Sequence, residues 1–212
     1  MESLQPEELV RRCQQTLPHD PRAFELLVNT YQARVYATAY RMMGNTDDAD
    51  DIAQEVFIRV YHGIKKISEP AALTSWIYQI TTNLCLDALA KRKRRSQRSV
   101  STLHTDDSDT DGDLMPIDRQ SPTPEEAALR RELYRCIAAT LSNLSPIERA
   151  VIVLRDIENR SYQEIAEGLT MGLSAIKMRI HRARLAFGEI FVRTCPGAWR
   201  ATETRDSSAT PR

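Results

Sequence analysis

Ser161-Tyr-Gln-Glu-Ile-Ala-Glu-Gly-Leu-Thr-Met-Gly-Leu-Ser-Ala-Ile-Lys-Met-Arg-Ile-His-Arg-Ala-Arg184 decides the reading of this 212-residue chain. Ser161 and Glu164 stand at capping-box spacing, where a hydroxyl and a carboxylate each satisfy an orphan amide of a first helical turn. Tyr162, Ile165, Ala166 and Leu169 follow as a short apolar stripe. Thr170-Met171-Gly172 breaks it, and apolar residues then recur at Leu173, Ile176, Ile180, Ala183 and Phe187, the spacing of a buried helix face. Lys177, Arg179, His181, Arg182 and Arg184 fall mainly off that face. Two helices joined by a tight turn, the second buried on one side and cationic on the other, have the form that enters a DNA major groove. The competing reading is a solvated basic helix in an all-α domain.

Working outward, the remaining apolar runs also have helical spacing, glycine is scarce at 7 residues, and no alternating strand pattern appears. The expected class is all-α: two small helical domains joined by an acidic linker, the second ending in a helix-turn-helix. No run approaches the roughly 20 apolar residues of a membrane span, and the acidic start does not read as a secretory signal. A cytoplasmic location, without membrane insertion, is expected.

The net charge of zero hides segregation. Residues 1–95 carry 13 basic and 12 acidic side chains, residues 96–128 carry 2 and 8, and residues 129–192 carry 10 and 7. An acidic middle thus separates two parts with local basic clusters, a distribution that suits nucleic acid better than the average does. Cys13, Cys85, Cys136 and Cys195 lie far apart, without zinc spacing, so neither a metal site nor a disulfide framework is implied. Cys85 and Cys136 read as small core residues and Cys195 as a thiol outside any periodic segment.

The first expected domain spans 20–95, after a leader at 1–19. Asp20-Pro21 caps a long helix ending near Gly44. Thr46, followed by carboxylates, opens a second helix, where negative charge suits the positive end of the dipole. Leu73, Ile77, Ile80, Leu84 and Ala88 mark a third, which runs into Lys91-Arg-Lys-Arg-Arg95. Residues 96–123 form the linker, with five aspartates between 106 and 113, a composition of the disordered kind. Thr123-Pro124 and Ser145-Pro146 restart helices in a second domain at 124–192, and 193–212 reads as a mobile tail.

Two signatures carry a family likeness. One is Asp48-Ala-Asp-Asp-Ile-Ala-Gln-Glu-Val-Phe-Ile-Arg-Val-Tyr61, followed by Trp76-Ile-Tyr-Gln-Ile-Thr-Thr-Asn-Leu-Cys-Leu-Asp-Ala-Leu89 and the basic run. The other is Leu144-Ser-Pro-Ile-Glu-Arg-Ala-Val-Ile-Val-Leu-Arg-Asp-Ile157, joined to the helix-turn-helix. In this order and spacing the chain resembles the extracytoplasmic-function (ECF) bacterial sigma factors over roughly residues 21–192. It departs from the family at Thr170, where glycine is usual, and at Met178, where a small residue is usual.

The resemblance implies a subunit that works with core RNA polymerase on promoter DNA, needs no cofactor and catalyses nothing. It leaves room for an anti-sigma protein as a further partner. Lys177, Met178, His181 and Arg182 would stand nearest the −35 bases, with Arg179 and Arg184 at phosphates. Ser68, Trp76, Gln79 and Asn83 would meet the melted −10 strand. The last three share one helical face, and an aromatic ring beside amides suits unstacked bases; plain core is the alternative for Trp76. Lys91, Arg92, Arg94 and Arg95 would hold phosphates, or else simply solvate a helix end. Asp50, Asp51, Gln54, Glu55, Phe57 and Ile58 would dock on the polymerase clamp. The acidic linker would lie in the basic nucleic-acid path of the polymerase, or serve only as a spacer. An enzyme reading of the Asp47–Asp51 cluster lacks converging histidines or a glycine loop. A free-standing helix-turn-helix repressor or activator is the rival, and would need no polymerase.

Overall fold

The computed structural model describes residues 5–98 and 123–196, and the acidic tract expected at 106–113 lies outside them. Among these described residues eight α-helices form: α1 (Pro6–Thr16), α2 (Arg22–Met43), α3 (Thr46–Gly63), α4 (Leu73–Arg98), α5 (Pro124–Asn143), α6 (Pro146–Ile152), α7 (Tyr162–Gly168) and α8 (Leu173–Thr194). Among the described residues there is no strand. The all-α expectation holds.

The helix boundaries follow capping chemistry. The α3 cap is Asn45 rather than Thr46: its side-chain oxygen accepts from the Asp48 amide at 2.8 Å, and its amide donates to the Asp48 carboxylate. An asparagine one residue earlier supplies both groups, which leaves the threonine as the first helical residue. Gly44 ends α2 at φ +79°, a conformation open to glycine without steric cost. Thr123 and Glu126 complete a capping box at α5, and Ser161 and Glu164 another at α7.

Leu27, Tyr31, Val35, Ala39 and Met42 of α2 pack on Ala49, Ile52, Val56 and Val60 of α3 and on Leu73 and Ile77 of α4. The chain before residue 20 takes part in this core. Leu9, Val10 and Cys13 of α1 are fully buried, and the Gln14 amide donates to the Ile64 and Ile67 carbonyls. Their i, i+1, i+4 spacing was legible, but the family likeness begins after them. The second unit closes around Leu141, Ala150, Val151, Ile165, Ile176, Ile180 and Ala183.

Two expectations about cysteine and the C-terminus are corrected. Helix α8 runs through Arg193 and Thr194, and Cys195 is buried rather than part of a tail. Cys195 is bonded to Cys136, with the Cα atoms 5.8 Å apart and 59 residues between them in sequence. Spacing along the chain could not show that α5 and the end of α8 lie side by side. Cys13 and Cys85 are free thiols, and burial pushes them up to about 11 and about 12, well away from reactive thiolates.

The turn of the helix-turn-helix carries strain. Thr170 sits at φ +53°, in the left-handed region that a β-branched residue disfavours by roughly 1–2 kcal/mol. It is exposed, so glycine there would sacrifice no packing and would lose about 0.5–1 kcal/mol to backbone entropy. Thr170→Gly is therefore expected to raise stability by roughly 0.5–1 kcal/mol, or about 1–4 °C in melting temperature. An unchanged or lower melting point would show that the turn is relaxed as it stands.

Candidate nucleic-acid interface

Helix α8 presents its two sides as the periodicity requires except at its first residue, where Leu173, expected on the buried face, is exposed because it precedes the turns that pack on the core. Ile176, Ile180 and Ala183 are buried, while Lys177, Met178, His181 and Arg182 are exposed along one continuous stripe. Met178 keeps 53% of its surface in solvent, a large apolar side chain held out where a thymine methyl could meet it. Ser174 and Leu185 lie on the same stripe and are also exposed. Charge-based reading missed both, although their i−4 and i+7 spacing from Met178 marks them.

The two flanking arginines differ from the stripe. Arg184 is held from behind: its Nε donates to the Asp156 carboxylate at 3.1 Å, and a second nitrogen bonds the other oxygen. That carboxylate raises the Arg184 pKa and fixes the side chain toward the rim of the helix. Arg179 is half-buried, with its Nε enclosed and unpartnered in the protein.

On α4 the three residues of the expected single-strand face separate by exposure. Asn83 is exposed, whereas Trp76 and Gln79 are half-buried. The indole of Trp76 lies against Gly63, where an added Cβ would come within 2.7 Å of the ring. Trp76 therefore packs on the end of α3 with part of its surface left open, so core packing and an outward face coexist in one side chain. Ser68 is exposed in the loop between α3 and α4. Lys91, Arg92, Arg94 and Arg95 are all exposed on the last turns of α4, which continues to Arg98 rather than stopping at 95.

On α3, Asp50, Asp51, Gln54 and Ile58 form an exposed stripe, with Ile58 52% exposed. Glu55 and Phe57 are half-buried, and Glu55 pairs with Arg59 at 2.8 Å. A row of carboxylates and amides around an exposed isoleucine has the composition of a protein-binding rim and centre.

The second unit also reaches across to the first. A π-helical turn at Val153–Ile157 carries the chain to Glu158, whose carboxylate accepts from Thr38, Arg41 and Tyr78 at 3.1, 3.0 and 2.6 Å. Burial, then this carboxylate, drive the Tyr78 pKa up. Arg149 is buried and donates to the carbonyls of Met42 and Ser142. Ser75 donates to Glu164. Burial opposes the Glu164 charge, yet the Ser75 and Ser161 hydrogen bonds and Arg160 hold its pKa down at about 2.

Comparison with known proteins agrees with both halves of the chain. Residues 27–95 match Sigma-70 region 2, and residues 134–187 match Sigma-70, region 4. The ECF RNA polymerase sigma factor SigW of Bacillus subtilis is 35% identical over 178 residues, covering 83% of this chain and 92% of that protein. The ECF RNA polymerase sigma-E factor of Escherichia coli is 31% identical over 186 residues, covering 87% and 93%. The ECF sigma factor SigE of Mycolicibacterium smegmatis is 36% identical over 162 residues, and the chain spans 59% of its length. Among solved structures, CnrH in complex with the cytosolic domain of CnrY matches with a TM-score of 0.58 and 25% identity, covering 88% of this chain and 97% of that one. Matched in order by both regions, and by relatives over most of its length, the chain belongs to the ECF RNA polymerase sigma factors, which are DNA-binding initiation factors and not enzymes.

Proposed function

We propose that this sigma factor divides promoter reading between two exposed faces. Lys177, Met178, His181 and Arg182 read the −35 duplex, with Arg179 and Arg184 steering toward phosphates. Trp76, Gln79 and Asn83, with Ser68 beside them, take the melted −10 strand, and Lys91, Arg92, Arg94 and Arg95 hold its backbone. Asp50, Asp51, Gln54, Glu55, Phe57 and Ile58 dock on core polymerase. The observation that carries this reading is the unbroken exposure of Lys177, Met178, His181 and Arg182 on a helix whose opposite side is buried. Nothing in such a stripe stabilises the fold, whereas in a groove it presents donors and an apolar group to base edges. Among the described residues no helix is long and apolar enough to cross a membrane, and action on DNA supports a cytoplasmic location. The complex of CnrH with the cytosolic domain of CnrY supports a protein partner here too.

Arg182 tests the assignment. As a base-reading arginine, Arg182→Ala should cost roughly 1–3 kcal/mol of promoter affinity and relax preference at one or two −35 positions. The measurement is holoenzyme binding to a set of single-base −35 variants. Equal weakening on every variant would make Arg182 a phosphate contact, and the base-reading stripe would have to exclude it.

A further inference from the structure

Helix α1 presents none of the residues assigned above to DNA or polymerase. Its outer face carries local ion pairs, Glu8 with Arg11 at 3.0 Å and with Arg12 at 2.7 Å. Its inner face does something else. Val10 and Leu17, four residues before and three after Gln14, are buried, so Gln14 stands on the packed side of the helix. That side meets α2, α4 and the two short 3-10 turns between α3 and α4. The turns span Ile64–Lys66 and Pro70–Ala72, with Ile67, Ser68 and Glu69 between them. Ile64 and Leu73 anchor this connection at its two ends and are fully buried. Between the anchors Lys65, Lys66, Ser68, Glu69 and Ala71 are exposed, so side-chain packing restrains little of it.

The Gln14 amide supplies the restraint. Its nitrogen donates to the Ile64 carbonyl at 3.1 Å and to the Ile67 carbonyl at 3.0 Å, one proton to each. The turn's own bond, from the Ile67 amide to the Ile64 carbonyl, is 3.3 Å long, beyond the usual range. Among the described residues the Ile67 carbonyl accepts from Gln14 alone. A planar amide holds its two acceptors at one separation and one orientation, and the second of them belongs to the residue just before Ser68. Trp76 packs on Gly63, the residue just before the gripped turn, so loop and indole share one support. We propose that Gln14 is a positioning residue for −10 recognition, tying the loop that bears Ser68 to α1 and so fixing it against the Trp76–Asn83 face. The inference rests on the reading of Ser68 given above. A group that reads a base must be held within about 0.5 Å, which a loop with one weak internal bond does not achieve by itself. A glutamine needed only for packing could be replaced by any side chain of its size, whereas one that aims Ser68 has to donate to both carbonyls.

The test uses holoenzyme assembled from core RNA polymerase and the full chain carrying Gln14→Met, which fills similar space and donates nothing. Binding is measured to fork-junction DNA probes that share one −35 element and differ by single bases in the −10 strand. Ser68→Ala, measured in parallel, marks the position that the loop reads. There Gln14→Met should lose about 3- to 10-fold of the discrimination between right and wrong base, the scale of one hydrogen bond. Affinity for core polymerase should match the parent. A changed ratio in Gln14→Met alone also upholds the clamp, and moves the base contact from the Ser68 hydroxyl to the loop backbone. If Gln14→Met keeps the parent's ratios, or weakens every probe equally, while Ser68→Ala changes a ratio, Gln14 serves stability only. The inference then falls and the −10 reading stands. If neither variant changes any ratio, the loop does not read the −10 strand, and both fall together. Should Gln14→Met fail to fold, Gln14→Asn, one methylene too short to reach both carbonyls, is read against the same outcomes.

Discussion

Removing the Cys136–Cys195 bridge is expected to lower the stability of the second helical unit by up to roughly 4 kcal/mol, the chain-entropy value for a closed loop of this size. The bond joins α5 to the residue that ends α8, across 59 residues. Loop-closure entropy grows with the length enclosed, so this bridge restricts the unfolded chain more than a local one would. Its loss should appear as a lower melting temperature when reductant is added to the oxidised protein, and the same loss should follow Cys136→Ser with Cys195→Ser. The two remaining thiols do not confuse the experiment. Cys13 and Cys85 are buried with raised pKa values, which leaves them poor partners for exchange. The stripe proposed to read −35 bases should be spared, because Lys177 to Arg182 lie about three or more turns before the bridged end at Cys195. A melting temperature indifferent to reductant would mean that packing alone holds α5 and α8 together.

The elements of this fold were legible because each obeys local rules. Helical periodicity gave α2 to α8, and the capping pairs Thr123/Glu126 and Ser161/Glu164 form the hydrogen bonds their spacing requires. The exposed stripe of α8, proposed above to read −35 bases, was legible for the same reason, since burial of Ile176, Ile180 and Ala183 forces Lys177, Met178, His181 and Arg182 outward. What the sequence hid depends on contacts between distant segments. Glu158 meets Thr38 120 residues away, and nothing local distinguishes it from any loop carboxylate. Cys136 and Cys195 likewise read as unrelated until α5 and α8 are placed side by side. Arg184 reads as a free cation in the sequence, and its pairing with Asp156, 28 residues earlier, appears only in the folded chain. Gly63 reads in the sequence only as a break in helical pattern, and the indole of Trp76 lying over it is visible only in the fold.

Neutralising the basic end of α4 is expected to change how binding depends on salt more than any other substitution in the chain. Lys91, Arg92, Arg94 and Arg95 are exposed, and among the described residues none of them makes a salt bridge. Two accounts compete for such a cluster. Cations near a helix C-terminus gain typically 0.3–1 kcal/mol from the dipole, an effect confined to the last turn. The cluster begins at Lys91, two turns before Arg98, so the dipole rewards only part of it. Phosphate contacts would use all four. Lys91 also stands eight residues beyond Asn83, about 12 Å along the helix, a span of roughly two to three nucleotides. Each neutralised phosphate contributes about 0.7 to the salt exponent for a single strand and about 0.9 for duplex. Changing all four residues to alanine should therefore flatten the slope of log K against log salt by about 3. Between 50 and 200 mM salt the parent holoenzyme should lose roughly 50- to 150-fold more promoter affinity than the variant. A variant with the parent's slope but a slightly lower melting temperature would assign the cluster to the helix dipole, and the −10 backbone would have to be held elsewhere.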